Sequence, residues 1–269
     1  SKTVGMGSIH GKTIWITGAS SGIGKSLALA LSTHDCNLIL SSRREDELLE
    51  VKDLCDTSST ISVLPLDLKD HKGMQGIANK AVGLFGKVDI LVNNAGISQR
   101  SLIKDTTLDV YQQLMDINYL GTVALSKAIL PHFMANQSGH FVTVTSLMGK
   151  FGSPYRSGYC GAKHALHGFF DVMRMEHEKD GIHVTMVCPG FVQTNVAKNA
   201  LTADGSPQKE DDIATQNGIS PELAAQKIIA AIQRKKFEVY IGGKEVKGIY
   251  LKRFFPKLLH KVVLKSQVR

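Results

Sequence analysis

Two groups of residues in this sequence combine side-chain types and spacings that can do chemistry. Tyr159 and Lys163 stand four apart, which on a helix puts them on one face with Cβ atoms about 5–6 Å apart. A phenol with an ordinary pKa of about 10 is a poor base near neutral pH, and an ammonium beside it favours the phenolate. The pair is therefore a candidate for proton transfer. Ser146, thirteen residues before Tyr159, adds a hydroxyl able to bond an oxygen on which negative charge develops. The second group is the run Thr17-Gly18-Ala19-Ser20-Ser21-Gly22-Ile23-Gly24. Glycines at such a turn let the backbone approach a diphosphate, and a helix that starts there offers free N–H groups and positive partial charge. The run is not a P-loop, because no Gly-Lys-Ser/Thr ends it.

These groups need elements to hold them. Short β-branched and apolar runs read as strands at Thr13–Thr17, Asn37–Ser41, Ile61–Pro65, Asp89–Asn93, His140–Thr145, His183–Cys188 and Glu238–Ile241. Helical patterns fall between them at Ile23–Ser32, Glu45–Leu54, Lys72–Phe85, Leu108–Met134, much of Gly158–Lys179, and Pro221–Arg234. Strand–helix alternation at this spacing predicts an α/β fold: one doubly wound domain with a mostly parallel seven-stranded sheet flanked by helices. Ligands then bind outside the carboxyl ends of the strands. The glycine run follows the first strand and Ser146 follows the fifth, so both fall on that edge. Residues 194–220 are polar and aperiodic, with Gly205, Pro207, Gly218 and the acids Asp204, Glu210, Asp211 and Asp212. A stretch of that kind in a compact domain reads as a lid or a disordered loop.

Composition narrows the function classes. An apolar fraction of 43% with 21% charged residues fits a globular chain and excludes an intrinsically disordered one. The net charge of +8 is carried by the tail: residues 247–269 hold seven Lys/Arg and no acid, which leaves +1 for residues 1–246. A nearly neutral body argues against a nucleic-acid stripe. Cys36, Cys55, Cys160 and Cys188 stand far apart with no Cys-x-x-Cys, which predicts neither a metal site nor a disulfide framework and suits a reducing, cytoplasmic setting. No apolar run approaches the roughly 20 residues of a membrane span, and Ser1–His10 has no apolar signal-peptide core. His164 and His167, three apart without a third ligand, read as surface or interface residues.

Taken in order, Thr-Gly-x-x-x-Gly-Ile-Gly at 17–24, Asn-Asn-Ala-Gly at 93–96 and Tyr-x-x-x-Lys at 159–163 resemble the short-chain dehydrogenase/reductase superfamily. The likeness runs over residues 11–245, as one Rossmann-type catalytic domain of the short branch with residues 194–220 as its substrate lid. The tail, residues 246–269, is similar to those of the 11β-hydroxysteroid-dehydrogenase-like and DHRS7-like reductases. The resemblance implies an oxidoreductase that interconverts a secondary alcohol and a carbonyl with a nicotinamide cofactor. It implies a catalytic set of Asn118, Ser146, Tyr159 and Lys163. Tyr159 moves the proton, Ser146 bonds the substrate oxygen, Lys163 also holds the nicotinamide ribose, and Asn118 holds a water that relays protons. Gly18, Ser20, Ser21, Gly22, Ile23 and Gly24 would take the diphosphate end. Asp67 would meet the adenine, with an Asx turn as its structural reading. Asn94, Ala95 and Gly96 would lie beside the cofactor, and Pro189, Gly190 and Thr194 would bind its carboxamide.

The second strand runs into Ser41-Ser42-Arg43-Arg44. Ser42 stands where NAD-using relatives carry an acid, and the Arg43 guanidinium suits a 2′-phosphate. The expected cofactor is thus NADP(H), with reduction the favoured direction. The plain alternative pairs Arg43 and Arg44 with Glu45, Asp46 and Glu47. Leu147, Met148, Tyr155, Arg156, Phe191 and Val192 are candidates for the substrate pocket or for packing. Small residues on the Tyr159 helix, by family analogy, imply a homodimer or homotetramer. The tail has Tyr250, Leu251, Phe254, Phe255, Leu258, Leu259 and Val262 at helical spacing with interleaved lysines. It reads as a helix packing on the body or a partner, with peripheral contact to an anionic membrane as the second reading. The rival functions are a catalytically silent NADP-binding sensor and a membrane-recruited scaffold.

Overall fold

The computed structural model describes residues 7–266. The strands are β1 (Thr13–Thr17), β2 (Asn37–Ser41), β3 (Thr60–Val63), β4 (Ile90–Asn93), β5 (Gly139–Val144), β6 (Ile182–Pro189) and β7 (Glu238–Ile241). The helices are α1 (Gly22–Ser32), α2 (Glu45–Leu54), α3 (Met74–Phe85), α4 (Leu108–Leu114), α5 (Thr122–Ala135), α6 (Ser157–His177), α7 (Ile213–Gln216), α8 (Pro221–Gln233), α9 (Lys247–Phe254) and α10 (Pro256–Lys265). The seven strands form one sheet in the order β3-β2-β1-β4-β5-β6-β7, and every pairing is parallel. This is the expected doubly wound architecture.

Alternation along the strands builds two cores. Ile14, Ile16, Leu38, Leu40, Val92 and Val142 face one side, where they pack with Leu27 and Leu31 of α1 and Ile228 and Ile232 of α8. Trp15, Ile39, Leu91 and Phe141 face the other, against Ala78 of α3, Ile129 and Phe133 of α5, and Phe170 of α6. Burying each such large side chain contributes about 1.5–3 kcal/mol, so the sheet is a rigid platform for whatever its carboxyl edge carries.

Three details differ from the sequence reading. The predicted third strand slips to Thr60–Val63; Leu64 N and Leu66 N still bond Leu40 O and Ser42 O (2.9 Å each) on either side of Pro65, which has no N–H to give. The long helix predicted over 108–134 is interrupted by a π-helical turn, Met115–Gly121, between α4 and α5. Residues 194–220 include α7. Leu201 exchanges backbone hydrogen bonds with the 98–100 segment (Arg100 N to Leu201 O, 2.8 Å; Leu201 N to Ser98 O, 2.9 Å).

The tail forms α9 and α10, broken at Pro256. Leu259 is buried in a small cluster with Leu147, Phe151 and Cys188, so the tail packs on the body. No helix among the described residues is long and apolar enough to cross a membrane.

Candidate active site

Strand order reverses between β1 and β4, since β1 pairs with β2 on one side and β4 on the other. A crevice opens at such a switch point, and Thr17 ties its two walls together. Its hydroxyl accepts from the backbone N–H of Asn94 (3.0 Å) and Ala95 (3.1 Å) and donates to Val92 O (3.3 Å). The Asn94 amide returns the link, donating to Thr17 O (3.2 Å) and Gly18 O (3.3 Å). Gly18 has φ +63, and a Cβ there would meet the Ala95 backbone at 2.8 Å. Only glycine holds this turn so tightly against the 94–96 loop.

The loop then feeds α1, whose N-cap Ser21 makes no side-chain capping bond. The first-turn N–H groups of Gly22, Ile23 and Gly24 have no intrahelical acceptor by helix geometry. They point to the crevice edge, a donor set suited to a diphosphate. The Thr194 methyl lies 3.3 Å from where a Gly22 Cβ would stand, so Thr194 closes on the glycine loop. Gly190 bonds Ile241 O at the end of β6 (2.7 Å).

At the far end, Arg43 is exposed and lines a cavity of about 340 Å³ with Leu66, Asp67, Asp70, Met74 and Ile77. Arg44 pairs with Glu47, whereas the Arg43 side chain has no hydrogen bond or ion pair among the described residues. Ser42 Oγ donates to Arg44 O (3.4 Å). Asp67 Oδ1 accepts from Lys69 N (2.9 Å), the Asx turn that its structural reading anticipated.

The Tyr159 group assembles from three elements. Tyr159 and Lys163 lie one turn apart on α6, with the ammonium 5.6 Å from the ring centroid. Ser146, just past β5, accepts from Met148 N (3.0 Å), and its hydroxyl is near enough to the Tyr159 phenol to oppose the rise in that group's pKa. Lys163 is buried, donates to Val144 O (3.3 Å), and burial pulls its pKa down to about 8. Asn118 sits in the π turn, fully buried. Its amide clasps Ile97, accepting from N and donating to O, both at 2.8 Å. A Cβ at Gly96 would stand 2.9 Å from Asn118 Oδ1 and 3.4 Å from Lys163 Nζ, so all three face one small space. The electrostatics differ from the simple tyrosine–ammonium picture. Burial pushes the Tyr159 pKa up, and the opposing pull comes from Ser146, Arg100 and Arg156.

A model of the short chain dehydrogenase family matches residues 12–205. The chain belongs to the short-chain dehydrogenase/reductase family. It is 39% identical over 265 residues to Dehydrogenase/reductase SDR family protein 7-like of Anopheles gambiae, covering 96% of this chain and 84% of that one. Its fold is similar to an alcohol dehydrogenase from Thermococcus sibiricus complexed with 5-hydroxy-NADP (TM-score 0.75, 23% identity, 87% of this chain and 97% of that chain). It is also similar to a short chain dehydrogenase/reductase from Burkholderia phymatum in complex with NAD (TM-score 0.83, 20% identity, 98% and 99%). Membership makes the protein an oxidoreductase.

In this short-chain dehydrogenase/reductase a second cavity of about 340 Å³ opens over Ser146 and Tyr159. Leu147, Met148, Arg156, Phe191 and Val192 line it as anticipated, but Tyr155 does not. Tyr155 has φ +68 and its carbonyl bonds Ser101 N (3.0 Å), a turn role. The tail supplies an unanticipated wall, with Leu251, Leu259, Val262 and Val263 facing in. Two other features escaped the sequence reading. Gln99 Oε1 accepts from Gly158 N (2.7 Å) and Tyr159 N (3.2 Å), capping α6 from another segment. His167, expected at the surface, is buried, where its Nε2 meets Thr145 Oγ1 (2.9 Å) and Cys188 Sγ (3.7 Å). Polar partners just past β5 and on β6 allow a histidine to face the sheet. The His167, Cys188 and Glu238 ligand atoms lie within 4.8 Å of one another, and hydrogen bonds, with Lys150 on Glu238 (2.8 Å), account for this grouping.

Proposed function

We propose that this oxidoreductase uses NADP(H) to interconvert a secondary alcohol and a carbonyl, with reduction favoured and Tyr159 as the acid/base. The observation that carries the reading is that Ser146 and Tyr159 line a mainly apolar cavity, while Lys163, one turn from Tyr159, meets Asn118 at Gly96 beside the glycine loop. The residues suit the cofactor: a glycine cradle and an uncapped helix start for the diphosphate, and, for a 2′-phosphate, Ser42 with an exposed Arg43 that has no hydrogen-bond or ion-pair partner among the described residues. Ser20, Ser21, Asn94, Ala95, Gly96, Pro189, Gly190 and Thr194 complete the groove, with Asp67 at its adenine end.

The bound nicotinamide supplies or accepts the hydride. Tyr159 donates its phenolic proton to the carbonyl oxygen during reduction and removes it from the alcohol during oxidation. Ser146 bonds the same oxygen as charge grows there. Lys163, buried yet still largely protonated at neutral pH with its pKa near 8, steadies the phenolate and reaches the cofactor ribose. Asn118 pins the 94–97 loop that frames this space. Residues 11–245 form the catalytic domain, residues 194–220 its lid, and residues 246–269 the tail, whose described part, to residue 266, walls the substrate cavity and thus favours apolar small molecules.

Assembly as a homodimer or homotetramer is supported by the outer face of α6, where nothing approaches within 4 Å of a Cβ at Gly161 or Gly168. Exposed Tyr250, Phe254 and Phe255 beside Lys252, Arg253 and Lys257 support peripheral contact with an anionic membrane.

The test is a panel of apolar ketones and aldehydes offered with NADPH and NADH, read by cofactor absorbance, with Tyr159→Phe alongside. NADPH-dependent turnover that falls about 100-fold or more in the variant, with NADPH binding retained, supports the reading. Unchanged turnover in Tyr159→Phe overturns it.

A further inference from the structure

One carboxylate from the 194–220 segment reaches both pieces of chain that set Tyr159. Asp212, 1% exposed, lies just before α7. Its Oδ2 accepts from Arg100 Nε (2.8 Å), Arg100 Nη2 (2.6 Å) and Arg156 Nη2 (3.2 Å). Arg100 is anchored further, its Nη1 donating to Ser98 Oγ (2.8 Å) and Gln99 O (2.7 Å). That second anchor falls on Gln99, the residue whose side chain caps the first turn of α6. Arg156 is itself the N-cap residue of α6, and its Nη1 donates to Pro154 O (3.1 Å). Arg100, Arg156 and Tyr159 all line the substrate cavity.

We propose that Asp212 is a latch: it fastens the 194–220 segment to Arg100 and Arg156, two positioning residues for Tyr159, so that seating the segment and setting the first turn of α6 are one event. The inference rests on the reading of Tyr159 as the proton-transfer group. Its physical basis is charge. Two buried guanidiniums on neighbouring segments repel, and burial together with Arg100 draws Arg156 down to about 10. A single shared carboxylate makes their proximity tolerable, and breaking such a cluster leaves buried charge uncompensated. With Asp212 seated the cluster carries a net charge of about +1; without its charge, about +2. The groups that face the phenol are Arg100 from the 98–101 segment, Arg156, Cys160 and Lys163 from α6 and its cap, and Ser146 after β5. Asp212 reaches it through the arginines.

Two readouts on the full chain test this without turnover, so they stand or fall separately from the carbonyl panel. The first is amide hydrogen exchange in Asp212→Asn, with Asp204→Asn as a control in an exposed turn of the same segment. The latch predicts exchange at least about 10-fold faster at residues 98–101 and 156–160 in Asp212→Asn alone. Acceleration confined to 194–220, or equal in both variants, overturns it. If Asp212→Asn does not fold, Asp212→Asn with Arg156→Met removes one buried charge of each sign and is read by the same criterion at 98–101. The second readout is ionisation of Tyr159, followed as the tyrosinate absorbance that Tyr159→Phe abolishes. Asp212→Asn shifts it to lower pH and Arg156→Met to higher pH. Shifts of the same sign, or none, overturn the positioning role of the arginines.

Discussion

The side-chain oxygen of Gln99 accepts the backbone N–H of Tyr159 at 3.2 Å. A residue on the loop after β4 thus caps the start of the helix that carries the phenol, and its amide Nε2 donates in turn to Ser101 Oγ (3.1 Å). The orientation of Tyr159 therefore depends on a buried polar group far away in sequence.

Replacing Gln99 with Ala removes the acceptor for two N–H groups. Cap loss typically costs about 1 kcal/mol, and leaving a buried donor unpaired about 1–3 kcal/mol. Gln99→Ala is expected to lower the thermal midpoint and to reduce kcat by more than it weakens NADPH binding. Gln99→Glu keeps an acceptor at a helix start and recovers most of both. Melting curves and steady-state kinetics on the two variants check this.

Among the described residues Arg43 has no hydrogen-bond or ion-pair partner, so its removal is expected to leave the fold intact. A charge-assisted bond contributes about 1.5–3 kcal/mol, hence Arg43→Ala is expected to weaken NADPH roughly 10- to 100-fold and to leave NADH and the melting temperature unchanged. Fluorescence titration with both nucleotides decides; equal weakening of the two would remove Arg43 from the 2′-phosphate site.

Gly96 borders the space shared by Asn118 and Lys163. A Cβ at 2.9 Å from Asn118 Oδ1 fills it, so Gly96→Ala is expected to cut turnover at least about 10-fold through displaced groups worth about 1.4 kcal/mol or more. Secondary structure by circular dichroism is expected to stay native, which separates the effect from misfolding.

Two buried histidines make the fold sensitive to acid. Burial depresses His167 to about 4 and His140 to about 3, below the ordinary value of about 6.5. The unfolded chain therefore binds protons first as pH falls. The stability that these neutral rings contribute is complete above about 6.5 and is lost as pH drops towards 4 for His167 and 3 for His140. At about 1.4 kcal/mol per pH unit of difference, each loss is on the order of a few kcal/mol. Denaturant midpoints measured from pH 7.5 to 4 should fall, and His167→Gln, which can still bond Thr145, should flatten the slope.

The sheet was legible because its five inner strands are apolar runs buried on both faces, and their alternation with helical patterns leaves few topologies. The glycine loop and the Tyr159–Lys163 pair were legible because their geometry is local: one turn of loop, one turn of helix. What the sequence hid is what distant segments bring. Gln99 contacts a helix start 59 residues away, and Arg100 meets Asp212 across 112 residues. Neither carries a periodic or spacing signal. His167 misled for a related reason: its partners Thr145 and Cys188 are on other elements, so nothing nearby in sequence marked it as an inward residue. The π turn at 115–121 was invisible because its composition is that of any helix, and only the docking of Asn118 onto Ile97 distinguishes it.

The wall that α9 and α10 contribute to the substrate cavity has a consequence for how such enzymes diversify. Those helices follow the final strand and share no hydrogen-bond ladder with the sheet. Mutational drift there can reshape the cavity while the glycine loop and the first turn of α6 stay in place. Exchanging these two helices between relatives is thus a modular way to change the shape of that cavity.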